Sequence, residues 1–139
     1  MSHYSLEDNQ EFINILLTNK NSVLVMDSDR TSENDEISET KKRLIAEFES
    51  NKMMYWITSG REIENYICCD VINDKYNSQL NQVERYGDFN SYIKPVDESF
   101  ERHKVDFARG LIFAENNIDV LDLKKQINEL ANNIKKWNG

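Results

Sequence analysis

SVLVMDSDR, Ser22 to Arg30, and MYWITSGREIENYI, Met54 to Ile67, decide how this chain folds. In the first, Val23 to Met26 form a short, uniformly apolar run that ends in two acids separated by one residue. Such a run reads as a strand buried on both faces of a parallel sheet. Met53, just before the second, begins another strand-like run through Thr58, closed by Ser59-Gly60 and followed by a helix start carrying Glu62 and Glu64. A strand that stops at Asp-x-Asp sets both carboxylates at its C-terminal tip, where open α/β sheets bind ligands. Strand alternation predicts that Asp27 and Asp29 leave one face and Ser28 the other. Hard oxygen donors converging there suit Mg2+ or Mn2+, ions that rarely need a full protein cage. The expected chemistry is metal-assisted and acts on phosphate.

Outward from these runs, Leu6 to Thr18 (LEDNQEFINILLT) places apolar residues at 12, 13, 15, 16 and 17 beside a polar face, an amphipathic helix. Thr31 to Asp35 read as a polar loop with candidate caps. Glu36 to Asn51 return to helical spacing, with Ile37, Leu44, Ile45 and Phe48 on one side. After the second strand a helix is expected from Arg61 to Ile72. Helices between short apolar strands argue for a parallel α/β fold with right-handed crossovers. Asn73 to Pro95, rich in Asn, Gln, Tyr and Asp, reads as a long irregular connection holding a short helix or a hairpin. Phe100 to Phe113 resume helical spacing. Asp119 is the expected N-cap of a last amphipathic helix through Trp137, its stripe carried by Leu121, Leu123, Ile127, Leu130, Ile134 and Trp137. The reading divides the chain into an α/β core, 1–72, and an irregular connection with C-terminal helices packed on it, 73–139. Two strands make a poor free-standing sheet. Either residues 73–95 add to it, or another polypeptide completes it.

At 139 residues the chain is one domain by length, able to bury roughly two thirds of the surface its unfolded form exposes. With 39% hydrophobic and 30% charged residues its composition is that of a globular protein. No apolar run approaches the roughly 18 residues of a membrane span. The opening MSHYSLEDNQ carries no basic and apolar export signal. Cys68 and Cys69 stand adjacent and without a second pair, which fits reduced, packed side chains of a cytoplasmic protein. The net charge of −8, with Lys and Arg interspersed among acids, lacks the basic stripe of a protein that grips DNA unaided. Any nucleic acid bound here is expected to be held with help from another chain or domain.

In sequence order, VMDSDR (25–30), WITSGREIENYI (56–67) and HKVDFARGLI (103–112) resemble the Toprim-type nuclease region of OLD-family ATP-dependent endonucleases. Those proteins join an ABC-type ATPase to a C-terminal Toprim domain and act in phage and plasmid defence. The resemblance runs from about His3 to Trp137. It implies a partial Toprim-like (Rossmann-like) parallel sheet flanked by helices, DNA as substrate, and Mg2+ or Mn2+ as cofactor. It further implies an ABC-type ATPase domain or subunit as partner. Two parallel strands also leave open hydrogen-bonding edges and apolar faces, so self-association into homo-oligomers is expected. One departure stands out. A Toprim domain opens with a strand ending in glutamate, then a helix and a strand, before Asp-x-Asp. This chain has no apolar strand ending in Glu-Gly upstream of Asp27 and no Walker A motif. The expected function is therefore a portion of a metal-dependent DNA endonuclease that is inactive alone. The alternatives are a non-catalytic interaction module for an ATPase partner and an acidic DNA mimic or inhibitor.

By the resemblance, Asp27 and Asp29 hold the divalent metal; without it, the pair reads as a strand-end Asx turn. Ser59 and Glu62 have the spacing of a capping box. Glu64, roughly 200° further round a helix, cannot serve that cap, and the resemblance makes it a metal-site and catalytic acid. Lys104 matches the lysine of the family's late active-site helix, where it would offset charge on the scissile phosphate; a solvated helix lysine is the alternative. Arg61 is a candidate phosphate contact or the partner of a nearby acid. His103 reads as a surface histidine, and Tyr55, Trp56 and Tyr66 as core or sheet-face aromatics.

Overall fold

Two apolar runs bounded by polar residues form two short strands, β1 (Leu24–Met26) and β2 (Tyr55–Ile57), paired in parallel with Leu24 opposite Tyr55, Val25 opposite Trp56 and Met26 opposite Ile57. The computed structural model describes residues 10, 11, 13, 14 and 18–139. The first predicted helix falls partly outside them: residues 10, 11, 13, 14 and 18 are helical, while Leu6, Phe12, Ile15, Leu16 and Leu17 lie outside the described residues, as does His3.

The crossover between the strands is helix α1 (Glu39–Ser50). Ser38 begins it, its hydroxyl accepting from Lys41 N at 3.3 Å, and Glu39 adds negative charge in the first turn. Phe48 is its one fully buried side chain. Asn51 Nδ2 closes the end on Glu47 O at 2.8 Å, and Lys52 at φ 54° turns the chain back toward β2. The ladder continues past the strand ends through Leu24 N to Met54 O at 3.2 Å and Thr58 N to Met26 O at 3.0 Å.

The strands sit where the sequence puts them, but β1 is not buried on both faces. Val25 is 49% exposed, while Trp56, its partner across the ladder, is 8% exposed under Tyr66, ring centroids 5.4 Å apart. Residues opposite one another share a sheet face, so that face is covered over β2 and open over β1. Among the described residues the sheet has these two strands, and residues 73–95 add none.

The second core is aromatic. Phe89, Phe100 and Phe107 meet at centroid distances of 4.9–6.0 Å, packed with Ile67, Val71, Ile72, Val83 and Ile93. Val71 and Ile72 come from helix α2 (Cys69–Tyr76), Phe89 and Ile93 from α3 (Phe89–Ile93) and Phe107 from α4 (Lys104–Arg109), while Ile67, Val83 and Phe100 lie between these helices. The single helix expected over Arg61–Ile72 is instead a 3-10 turn (Ile63–Tyr66), a break with Ile67 extended at ψ 119°, and then α2. Asn65 explains the break. Its amide, 1% exposed, accepts from Glu62 N at 3.0 Å and donates to Glu84 O and Gly87 O at 3.0 and 2.9 Å. A side chain that fastens a distant loop outcompetes helix continuation.

The helix expected over Phe100–Phe113 is likewise divided, into a 3-10 turn (Phe100–Arg102) and α4, with His103 at ψ 38° between them and Gly110 ending it. His103 Nε2 is held 2.8 Å from the buried Asp97 carboxylate, which also accepts from Tyr76 OH at 2.5 Å. The last helix, α5 (Leu123–Trp137), starts after Asp122 and not at Asp119, which lies before a turn through Leu121 at φ 49°. It lies against β2, with Asn133 Nδ2 3.1 Å from Met54 Sδ. Its apolar stripe is only half covered: Ile127 is 37% and Ile134 43% exposed. Among the described residues no helix is long and apolar enough to cross a membrane.

Candidate functional site at the strand tips

β1 ends at Met26, so Asp27 to Arg30 are loop and not strand. Ser28 decides their course. It is 3% exposed, its N–H donates to Thr58 Oγ1 at 2.9 Å, its hydroxyl donates to Gly60 O at 2.5 Å, and that oxygen accepts from Arg30 N at 3.1 Å. Asp29 N donates to Arg61 O at 2.8 Å with Asp29 at φ 57°. Asp tolerates this left-handed conformation better than most residues. The Asp-x-Asp loop is thus laced onto the Ser59-Gly60-Arg61 turn after β2.

Strand alternation does not govern the two aspartates, because both lie beyond the end of β1 and Asp29 has left-handed backbone. Asp27 Oδ1 accepts from Ile63 N at 2.8 Å, at the start of the 3-10 turn that carries Glu64. Asp29 Oδ2 is ion-paired with Lys41 Nζ, and the same ammonium donates to Asp27 O at 2.6 Å. Lys41, in the first turn of α1, escaped the sequence reading. Its signal is position alone, at the start of the helix that follows Asp-x-Asp.

Glu62 and Glu64 separate, but not as a Ser59 capping box requires. Ser59 N donates to Tyr66 OH, whereas Glu62 itself precedes the 3-10 turn and its N–H is taken by Asn65 Oδ1. The Glu62 carboxylate turns toward α3 and accepts from Phe89 N at 3.2 Å. Burial pushes its carboxyl above the ordinary value, the Phe89 N–H works against this, and the charges of Glu64, Asp27 and Asp88 raise it further. The charges of Glu64, Asp27 and Asp88 thus all act on the Glu62 carboxyl.

Glu64 and Lys104 both line a single apolar cavity of about 320 Å³, walled by Tyr66, Phe100, Phe107 and Leu111. The Lys104 ammonium stands 5.5 Å from the Phe100 ring centroid at the first turn of α4. So Asp27 neighbours the Glu64 turn, Glu64 shares a cavity with Lys104, and Asp29 is drawn off by Lys41. The donor chemistry, carboxylate oxygens only, fits a hard cation. The arrangement is incomplete: among the described residues no three His, Cys, Asp or Glu side chains are grouped to hold a metal ion. Burial pushes the Cys69 thiol up, which disfavours a thiolate nucleophile there.

The sequence reading missed Tyr66 as an organiser. Its hydroxyl accepts from Trp56 Nε1 at 3.1 Å and Ser59 N at 2.8 Å and donates to Asp122 Oδ1 at 2.5 Å. It joins β2, the Ser-Gly turn and the foot of α5.

Glu62→Gln provides a test of the charges acting on Glu62. A carboxyl whose folded pKa is raised binds protons more tightly folded than unfolded, so the wild type loses stability as pH rises through that pKa. Glu62→Gln is expected to fold as well as wild type at pH 7 or slightly better, keeping the Phe89 contact through its amide oxygen. Thermal melts from pH 4 to 8 should show a smaller loss with rising pH in the variant. A variant clearly less stable at pH 7 would mean that the carboxylate's charge, and not its hydrogen bond, holds the turn.

No family model, no curated protein and no solved structure compared with the chain matches it.

Proposed function

We propose that this chain is the Asp-x-Asp portion of a Toprim-like, metal-dependent DNA nuclease whose metal site is completed by a carboxylate from another segment or subunit. The observation that supports it most is the lacing of the Asp27–Asp29 loop onto the turn that presents Glu64, at the C-terminal tips of parallel strands. Mg2+ or Mn2+ would be held by Asp27, Asp29 and Glu64 and, when bound, would activate water and stabilise the oxygens of an in-line phosphodiester displacement. Lys41 is the residue that Asp29 must exchange for the metal. Lys104, which lines the same cavity as Glu64, would supply positive charge toward the scissile phosphate. The exposed Val25 face and the half-covered stripe of α5 supply surface for a completing partner, an ABC-type ATPase or its Toprim strands.

Residues 1–139 alone are expected to leave supercoiled plasmid intact with Mg2+ or Mn2+. Joined to a segment carrying a strand that ends in glutamate, in cis or as a second subunit, they should cut it, and Asp27→Ala should remove that activity. Robust cleavage by a monomer of residues 1–139 would contradict the reading.

A further inference from the structure

On a chain of net charge −8, two arginines stand over one tyrosine ring, and a third is tied to them through its backbone beside the strand tips. The Arg30 and Arg85 guanidinium carbons stand over the Tyr86 ring, 5.4 and 5.1 Å from its centroid. Arg61 joins them through the backbone: its N–H donates to Arg85 O at 3.0 Å and its carbonyl accepts from Asp29 N at 2.8 Å. The Arg85 Nε donates to Ser59 O at 2.9 Å, and Arg30 Nε to Asp35 O at 2.8 Å. Arg30 Nη2 also donates to Glu33 O.

These ties leave particular nitrogens available. Arg85 keeps both Nη groups and Arg30 keeps Nη1, while the Arg61 guanidinium has no hydrogen bond or ion pair among the described residues. The Ser91 hydroxyl and, after it, the Arg61 charge hold the Asp88 carboxyl below its usual range. Ring stacking and carbonyl contacts fix two of the three guanidinium planes in advance, so less side-chain freedom is lost when an anion binds. A planar fork of N–H donors matches phosphate oxygens. The Tyr86 ring is occupied by guanidinium groups, so bases are not what this patch stacks.

We propose that Arg30 and Arg85, organised by Tyr86, and Arg61, tied to Arg85 and the Asp27 loop through its backbone, are a contact for the phosphodiester backbone of a nucleic-acid strand, laid beside that loop. The proposal rests on the nuclease reading for its choice of a polymer over a free phosphate. It goes beyond that reading by naming where the strand is held before any metal acts.

The test separates the two claims by working in EDTA, where nothing is cut. Fluorescence anisotropy of a labelled 20-nucleotide single strand and of its duplex would be followed with residues 1–139 as wild type, Arg61→Ala/Arg85→Ala, Arg61→Lys/Arg85→Lys and Asp27→Asn/Asp29→Asn. Wild type should bind in low salt. The alanine pair should weaken binding at least tenfold and reduce the slope of log K against log salt by about 2, one for each phosphate contact removed. The lysine pair should restore the slope and part of the affinity, and the aspartate pair should bind as tightly as wild type or tighter. Circular dichroism and thermal melts verify that each variant is folded. Unchanged binding by a folded alanine pair would overturn the proposal, as would displacement of the oligonucleotide by millimolar inorganic phosphate, which marks a small-anion site. Loss of binding in the arginine variants with no cleavage by any completed assembly would sink the nuclease reading and leave this contact standing. Metal-dependent cutting with unchanged binding would do the reverse.

Discussion

Tyr66→Phe is expected to lower stability by about 2–4 kcal/mol, although it removes one oxygen atom. That oxygen accepts from Trp56 Nε1 and Ser59 N and donates to Asp122 Oδ1, and Tyr66 itself is 3% exposed. Removing it strands two donors and a carboxylate in a poorly solvated place, and each such buried group costs on the order of 1–3 kcal/mol. The three losses overlap, because the foot of α5 can move and readmit water. For a chain of this length the fall in Tm should be roughly 3–4 °C per kcal/mol. The hydroxyl also has a pH signature. Burial, with the Asp122 hydrogen bond second, pushes it up to about 12 from an ordinary 10.0. The unfolded tyrosine ionises first, so wild type loses stability as pH rises from about 10 toward 12. The phenylalanine variant, already weakened, should lack that part of the alkaline loss. A change below 0.5 kcal/mol on urea unfolding would show that the network is not holding the elements together.

Gly60→Ala should be nearly as damaging, through shape and not through charge. A Cβ at Gly60 would stand 2.4 Å from Arg85 O and 3.1 Å from Asn65 Cβ. The nearer atom is backbone, held by Arg61 N at 3.0 Å, so it cannot swing aside as a flexible side-chain end would. Gly60 O also accepts from Ser28 Oγ and Thr58 Oγ1, which tie the Asp27 loop to β2. Overpacking of this kind costs typically 1–3 kcal/mol, and the displaced turn adds the loss of these hydrogen bonds. Gly60→Ala is expected to destabilise by about 2–4 kcal/mol and to abolish any response to Mn2+, because Asp27 and Glu64 are positioned by that turn. A variant with wild-type stability and Mn2+ response would remove the turn from the account.

The strands and their parallel pairing were legible because short apolar runs next to polar breaks leave few other solutions. Helix α1 was legible within three residues at its start, where Ser38 and not a residue of Thr31–Asp35 provides the cap. What the sequence hid was every feature set by distant partners. The break after Tyr66 depends on Asn65 bonding to carbonyls of Glu84 and Gly87, and the raised Glu62 carboxyl on its burial and on the charges of Glu64, Asp27 and Asp88. The withdrawal of Asp29 depends on Lys41 and on a left-handed backbone that strand alternation does not foresee. Arg85 and Tyr86 sit in a stretch without periodicity, so no pattern linked them to the Asp27 loop. Val25 looked like a core residue because the strand pattern assumes that a sheet is covered on both sides, and here one side of β1 is open.

The account stands most directly on whether Asp27, Asp29 and Glu64 bind a divalent cation, and a thermal titration with Mn2+ measures this. Stabilisation follows the ratio of free metal to dissociation constant, about 1.4 kcal/mol at tenfold excess over Kd. With an incomplete ligand set, the account predicts a small rise in Tm at millimolar Mn2+. It should be abolished in Asp29→Asn and in Asp27→Asn/Asp29→Asn, weakened in Glu64→Gln and retained in Glu62→Gln. Equal responses from wild type and the aspartate double variant would contradict it.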